Sequence, residues 1–417
     1  MPLRVLVISN LDSARPFGQF LRPFHLGRGL ARQGHEVANV GVDCSSAAFG
    51  PTWSTGTKSL GRLTRLASMA LREFHPDVVY AHELRPASAA LLRPGGPPVV
   101  VDLHSLPSVE WRGYVGRESG RTAALYRLAG ARAGLSERLI AHRADRVICA
   151  GANVRDRFTE LYRQRVPTEV IVNGVEHELL TAPPAAESPY DGEPGDGHAV
   201  TTLPGAVTPS NDRARHFLEA VAEHLDGRGP QVTLHVLGAD GPNGRSRIRF
   251  HGFQPDLWPW IDHADVCMLP YPPEAALCGG PRNKLLESLA RGRAVVTTEE
   301  GTRGLEEVAG WPGVHVVGDH PASFADALLL ATGRGGRGLE ERREKMLARL
   351  EWDVLATDLV HIGRGFLFSI GCIQAMRCHT NTCPTGVTTQ NRWLQSARRS
   401  RGRLRARQQL QPDPDHR

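Results

Sequence analysis

Short runs of consecutive apolar residues alternate with stretches of helical spacing, and the alternation occurs twice along the chain. In the first half the runs are Arg4–Ser9, Glu36–Val42, Asp77–Ala81, Val99–Leu103, Arg146–Ala150 and Glu169–Val172, with amphipathic stretches such as Arg22–Gln33 and Ser59–Phe74 between them. Valine and isoleucine on successive positions mark strands buried on both faces of a parallel sheet. The second series is Ala199–Leu203, Val232–Leu237, Arg247–His251, Val266–Leu269, Ala294–Thr298 and Val314–Val317, with Asp212–His224, Asn283–Arg291 and Pro321–Thr332 as helices. Between the two series, Thr181–His198 holds four prolines, three glycines and four acidic residues without periodicity, and reads as a linker or long surface loop. The pattern predicts two doubly wound, Rossmann-like α/β domains facing across a cleft, 1–180 and 199–357, joined by the linker 181–198.

Charge adds an extension to this plan. The net charge is +6, yet residues 391–417 alone carry eight arginines against Asp413 and Asp415. Residues 1–390 are therefore balanced, with 42 basic and 42 acidic residues (50 − 8 and 44 − 2). The segment 396–417 reads as a disordered basic tail that binds anions indiscriminately, so no specific nucleic-acid partner is expected. No apolar run reaches the length of a membrane span, and the opening MPLRVLVISN reads as a strand. Cys44, Cys149, Cys267 and Cys278 are scattered and do not form a disulfide framework. A cytoplasmic protein, with peripheral membrane contact allowed, is the expectation.

Three places can carry chemistry. The loop after Arg4–Ser9 contains Gly18 and leads into a helix; such a loop either cradles an anion or is an ordinary strand–helix connection. His104 directly follows a predicted strand, at the end where open α/β sheets bind ligands; it serves an acceptor hydroxyl or caps the next loop. In Gly279–Thr298 (GGPRNKLLESLARGRAVVTT), a helix beginning at Pro281 places Lys284 and Glu287 three residues apart on one face. A cation beside a carboxylate there can meet a diphosphate and ribose hydroxyls, or form an exposed salt-bridged face.

Gln33–Val37 (QGHEV), Pro76–His82 (PDVVYAH), Pro98–Ser105 (PVVVDLHS), Ala144–Ala150 (ADRVICA), Ile171–Val175 (IVNGV), Ala264–Pro270 (ADVCMLP) and Pro281–Val296 (PRNKLLESLARGRAVV) occur in order over about residues 3–357. Their sum resembles GT-B glycosyltransferases of the family 4 type. The resemblance implies a nucleotide-sugar donor held by the second domain and a glycan, lipid or small-molecule acceptor held by the first. It also implies hexosyl transfer with retention and no required cofactor. Glu287 matches the second glutamate of the family's E-x7-E motif, implying contact with the donor ribose. Gly18 and Gly205 match glycine positions near the diphosphate, and His104 matches the histidine at the acceptor side. Arg282 and Lys284 stand where cations can meet the diphosphate. The chain departs from the pattern at Gly279, where the first glutamate is expected, and Glu274 is out of register. Gly205 is followed by Ala206 where the family has arginine, leaving Arg213 or Arg215 as the substitute cation. A non-catalytic nucleotide-sugar binder is the alternative these departures raise.

Residues 363–390 change character: dense in Gly, Cys, Thr and Phe, they lack helix or strand periodicity. Cys372, Cys378 and Cys383 are spaced C-x5-C-x4-C, a set that either holds a soft metal or iron–sulfur cluster or is three reduced thiols. Arg364–Gln390 (RGFLFSIGCIQAMRCHTNTCPTGVTTQ) resembles the iron–sulfur loop of the FMN-dependent glutamate synthase family, and the likeness spans about 358–395. It implies the three cysteines as ligands of a 3Fe–4S cluster. The flavin barrel of that family has no room in this chain, so the segment reads as a fragment joined to a glycosyltransferase.

Overall fold

The computed structural model describes residues 2–369 apart from 14–19, 48, 93–95, 117, 164, 193–196, 203–208, 242–246, 272–278 and 333–338, with the backbone alone for 209–213 and 361–369. Gly18, Gly205, Cys372, Cys378 and Cys383 lie outside the described residues, and of Arg213 only the helical backbone is described.

The first sheet comprises β1 (Arg4–Ile8), β2 (Glu36–Gly41), β3 (Thr52–Ser54), β4 (Val78–His82), β5 (Val99–Leu103), β6 (Arg146–Cys149) and β7 (Thr168–Val170). Its helices are α1 (Leu21–Arg32), α2 (Leu60–Phe74), α3 (Leu84–Leu91), α4 (Pro107–Val115), α5 (Gly120–Arg143), α6 (Ala152–Tyr162) and α7 (His177–Thr181). The strand order is β3-β2-β1-β4-β5-β6-β7. β1 pairs in parallel with both β2 and β4.

The second sheet comprises β8 (Gly197–Thr202), β9 (Val232–Leu237), β10 (Ile248–Phe250), β11 (Val266–Leu269), β12 (Ala294–Thr298) and β13 (Val314–Val317), in the order β10-β9-β8-β11-β12-β13. Its helices are α8 (Pro209–Leu225), α9 (Trp258–His263), α10 (Asn283–Ala290), α11 (Glu299–Thr302), α12 (Pro321–Ala331), α13 (Leu339–Arg349) and α14 (Trp352–Ser369). The period of two in its strands decides which residue meets which layer. Val266, Met268, Ala294 and Val296 face α8 and α12 through Leu218, Val221, Phe324 and Leu328. The intervening Cys267, Leu269 and Val295 share a core with Leu285, Leu286 and Leu289 of α10. In both sheets the order reverses beside the first strand of the series, so each has a switch point: β1/β4 in one, β8/β11 in the other. Both sheets are therefore the doubly wound α/β class that the alternation predicts.

By compactness the chain divides into one unit of residues 1–102 and 142–147 with the chain from 356 on, and another of 103–141 and 148–355. In the first, Asp102 is fully buried on β5 and accepts from Nε of Arg22 on α1 at 2.9 Å. The Tyr80 hydroxyl on β4 also donates to Asp102. Three elements are thereby joined around one charge that has no access to water.

Two expectations need correcting. Of the segment 181–198, residues 181–192 are mostly exposed, as in a surface loop, but are anchored at several points, and Gly197 and His198 already belong to β8. The Ala185 N–H donates to Asp262 at 2.8 Å, and the hydroxyl of buried Tyr190 donates to the Trp260 carbonyl at 2.5 Å. Arg291 pairs with Asp262 at 2.5 Å and donates to the carbonyls of Leu179, Ala182 and Pro183. The proline-rich composition describes the backbone's stiffness but not these long-range partners. Second, residues Gly363–Ser369 are helical, because α14 continues to Ser369. The helix starts in packed sequence, with Leu350, Trp352 and Leu355 closing on Gly174, and the turn propagates from there. The remainder of 363–390 lies outside the described residues.

Candidate functional site around the start of α10

The second sheet's switch point is where a ligand of a doubly wound domain is received, so the side chains at the carboxyl end of β8 are the place to begin. β8 ends at Thr202. Lys284, in the first turn of α10, donates its ammonium to the Thr202 carbonyl oxygen. Glu287, one turn later, lies beside Lys284 in a small crevice lined also by Thr201, Thr202, Met268 and Leu269. Burial pushes the Glu287 carboxyl up from its ordinary value; the Lys284 charge opposes this and Glu176 adds to it. The pair therefore shares a face of α10, as the spacing predicts.

The segment leading into α10 is held by residues from three distant loops. Ser105, just after β5, forms an antiparallel bridge with Gly279. The Gly280 N–H donates to the His104 carbonyl at 2.9 Å. Asn153 Nδ2 donates to the Gly279 carbonyl at 2.8 Å, and Asn173 Nδ2 to the Pro281 carbonyl at 3.0 Å. Gly280 has no space for a side chain, since a Cβ there would lie 2.6 Å from the Ala150 Cβ and 2.9 Å from the Ala150 oxygen. At Gly279 the nearest atom to a Cβ is Arg282 Nη1 at 3.9 Å, so a methyl group fits.

Around this turn lie polar groups whose needs the described residues do not meet. Arg282 Nε, Asn283 Oδ1 and Asn153 Oδ1 are buried without a hydrogen-bond partner among the described residues. Buried polar atoms are almost always paired, so this cluster offers hydrogen-bonding positions to a water or a ligand. The Arg282 guanidinium lies over the Tyr271 ring, 5.0 Å from its centre. Its charge also reaches Glu110 on α4, whose carboxyl burial pushes up while a hydrogen bond with Ser105 and Arg282 draw it back. The first backbone N–H groups of α10 add positive potential at the same end.

Of the residues the sequence points to, Arg282, Lys284 and Glu287 are brought together on α10 and its approach. His104 meets this approach through its main-chain carbonyl. Sequence reasoning does not find Glu110, Ser105, Asn153, Tyr271 or the Thr202 carbonyl. Asn173 lies within the quoted IVNGV run but is given no role there.

Residues 22–179 match the profile of Glycosyltransferase Family 4, and residues 199–332 match that of Glycosyl transferases group 1. Residues 352–406 match the conserved region in glutamate synthase. Among solved structures, the chain is similar to sucrose-phosphate synthase from Thermosynechococcus elongatus, with a TM-score of 0.66 and 17% identity, covering 88% of this chain and 100% of that one. A glycosyltransferase from Rickettsia africae gives a TM-score of 0.61 at 14% identity, over 88% and 99% of the two chains. Anabaena HepE in complex with UDP-glucose gives 0.59 at 15% identity, over 87% and 100%. The glutamate synthase large subunit-like protein YerD of Bacillus subtilis is 58% identical over 43 residues, 10% of this chain. The matched stretch spans 8% of that relative's length.

Proposed function

Because the chain belongs to the glycosyltransferases, with a family 4 region followed by a group 1 region, we propose that it transfers a hexosyl group from a nucleotide-sugar to a hydroxyl acceptor with retention. The carrying observation is the half-buried Lys284–Glu287 pair at the β8/β11 switch point, beside the unpartnered Arg282 Nε and Asn283 Oδ1. Anabaena HepE, a structural neighbour in complex with UDP-glucose, supports a donor of this kind.

In this reading Glu287 accepts hydrogen bonds from the donor ribose. Those bonds favour the ionised carboxylate and offset the desolvation that burial imposes. Lys284, Arg282 and the N-terminal N–H groups of α10 neutralise the diphosphate as it departs, while positive charge develops on the sugar ring. His104 helps place the acceptor hydroxyl, which is a glycan, a lipid or a small molecule. Catalysis is by positioning and preset electrostatics, and in this reading no cofactor is required. A sugar-transfer assay across UDP-, GDP-, ADP- and dTDP-sugars tests it: turnover with one of them is expected, and none with any would count against an active transferase.

Gly279 favours a second reading, a nucleotide-sugar binder without turnover, because it stands where the family resemblance expects a carboxylate. Calorimetric donor binding combined with failed transfer would support that reading over the first.

The glutamate synthase-like stretch is proposed to be an attached fragment. It matches a small part of its relative, and a cluster needs a supporting shell as well as Cys372, Cys378 and Cys383. Anaerobic reconstitution with iron and sulfide should leave no bound iron; stoichiometric iron with visible absorbance would overturn this.

A further inference from the structure

A cleft of about 580 Å³ opens at the amino ends of β1 and β2, wholly within the first unit. Doubly wound sheets receive their ligands at the carboxyl ends of the strands, so this cleft is no part of that arrangement. Its walls include Arg4 and Glu36, the first residues of the two strands, Phe49 and Trp53 at and before β3, and Glu73 and Phe74 at the end of α2. The volume is that of a small-molecule site, and such sites combine aromatic surface with a few placed polar groups.

The charged groups here hold one another in place. Arg4 Nε donates to Glu36 at 3.1 Å, and the guanidinium lies over the Phe74 ring, 4.6 Å from its centre. Half-buried Trp53 donates from Nε1 to the exposed Glu73 carboxylate at 3.2 Å, which fixes the indole beside an acceptor. The wall that carries Phe49 and Trp53 is pressed onto β2. The Asn39 N–H donates to the Pro51 carbonyl at 2.8 Å, and a Cβ on Gly50 would overlap the Val37 oxygen. The cleft is therefore preformed, and a ligand entering it has little to order.

The chemistry narrows the ligand. Two exposed carboxylates, Glu36 and Glu73, against one guanidinium oppose an anion. Arg4 already occupies the cation seat over Phe74 and repels a second cation there. A strand from another chain finds little to pair with, because β3 is three residues long. A neutral ring with an apolar face and a polar rim satisfies every wall. A pyranose has both: its C–H face lies on the indole, while its hydroxyls donate to Glu36 and Glu73 and accept from Arg4.

We propose that this cleft is a glycan-binding subsite, taking one neutral hexosyl residue against Trp53 with its hydroxyls on Glu73, Glu36 and Arg4. This does not rest on the donor reading, and none of these residues belongs to the α10 site.

The test is isothermal titration of the full chain with maltohexaose, cellohexaose and mannohexaose, with choline and a sulfated oligosaccharide as charged controls. Trp53→Ala removes the platform. Glu73→Gln removes one acceptor at an exposed position, so it keeps the fold even if the tryptophan variant does not. At least one neutral oligosaccharide should bind the wild type, with an affinity that raised ionic strength leaves unchanged. Each variant should weaken it by at least about fivefold, and Glu287→Ala should leave it as it is. Nucleotide-sugar affinity should in turn be the same in Glu73→Gln and wild type, so the two readings fail separately. No binding of any of the three, equal binding by Glu73→Gln and wild type, or loss in Glu287→Ala instead would overturn the proposal. Tighter, salt-sensitive binding of choline or the sulfated oligosaccharide at this cleft would overturn it too.

Discussion

Lys284 donates from the first turn of α10 to the carbonyl oxygen of Thr202 at the end of β8, fixing a cation at the switch point of the second sheet. Glu287 lies a turn behind it, and burial raises its carboxyl pKa. The raised value gives donor binding a pH dependence. As pH falls through it, Glu287 takes a proton and loses its capacity to accept two ribose hydroxyls. Donor affinity should therefore hold at higher pH and weaken as pH falls towards and through that raised value. Titrations of wild type and Glu287→Gln across that range check this, and the variant's profile should be flatter.

The turn before α10 makes a contrast between adjacent glycines. Gly280→Ala drives a methyl group against Ala150 and should cost about 1–3 kcal/mol through forced backbone shifts. Gly279→Ala meets nothing closer than 3.9 Å and should leave stability nearly unchanged. Urea unfolding of the two variants measures the difference; equal effects would mean that this turn is looser than its contacts imply.

The buried Arg22–Asp102 pair predicts an asymmetry between single and double substitution. Arg22→Leu leaves Asp102 charged and buried, at a cost of about 3–5 kcal/mol. Adding Asp102→Leu removes the stranded charge and should recover part of the loss. The denaturation midpoints of the three proteins decide it, with no recovery in the double variant as the contrary result.

His235, fully buried on β9, shares hydrogen bonds with His198 at 3.1 Å and His251 at 2.9 Å. Tyr190 and Trp260 pack on the same rings, and the Arg249 charge faces it too. Burial first, then the His251, His198 and Arg249 charges, lower its pKa from 6.5 to about 3. The folded chain thus binds fewer protons here than the unfolded one. The stability contributed by keeping His235 neutral is present above 6.5 and is lost as pH falls from there towards 3. The wild type should lose up to about 1.4 kcal/mol per pH unit more than His235→Gln over that window. Parallel slopes for the two proteins would remove His235 as the cause.

Much of this architecture is legible locally because buried parallel strands announce themselves within a few residues. Val232–Leu237, Val266–Leu269, Ala294–Thr298 and Val314–Val317 are strands at those bounds. β3 has no such run, since Thr52–Ser54 is polar around one tryptophan and is a strand by pairing with β2. The Lys284–Glu287 relation is readable because helix geometry fixes it within three residues. The holding of Gly279, Gly280 and Pro281 by Asn153, His104 and Asn173 is not readable, because those partners come from remote segments. The packing of α5 is hidden for another reason. Alanine and glycine line its buried side while leucines line the outer one, so apolar spacing points the wrong way.

The account's central claim is that α10 grips the donor, and isothermal titration of the full chain with nucleotide-sugars measures it directly. One of the UDP-, GDP-, ADP- or dTDP-sugars should bind, with Glu287→Ala and Lys284→Ala each weakening it by roughly tenfold or more, as expected for charge-assisted hydrogen bonds. Undiminished affinity in both variants, or no binding by the wild type, would contradict the claim.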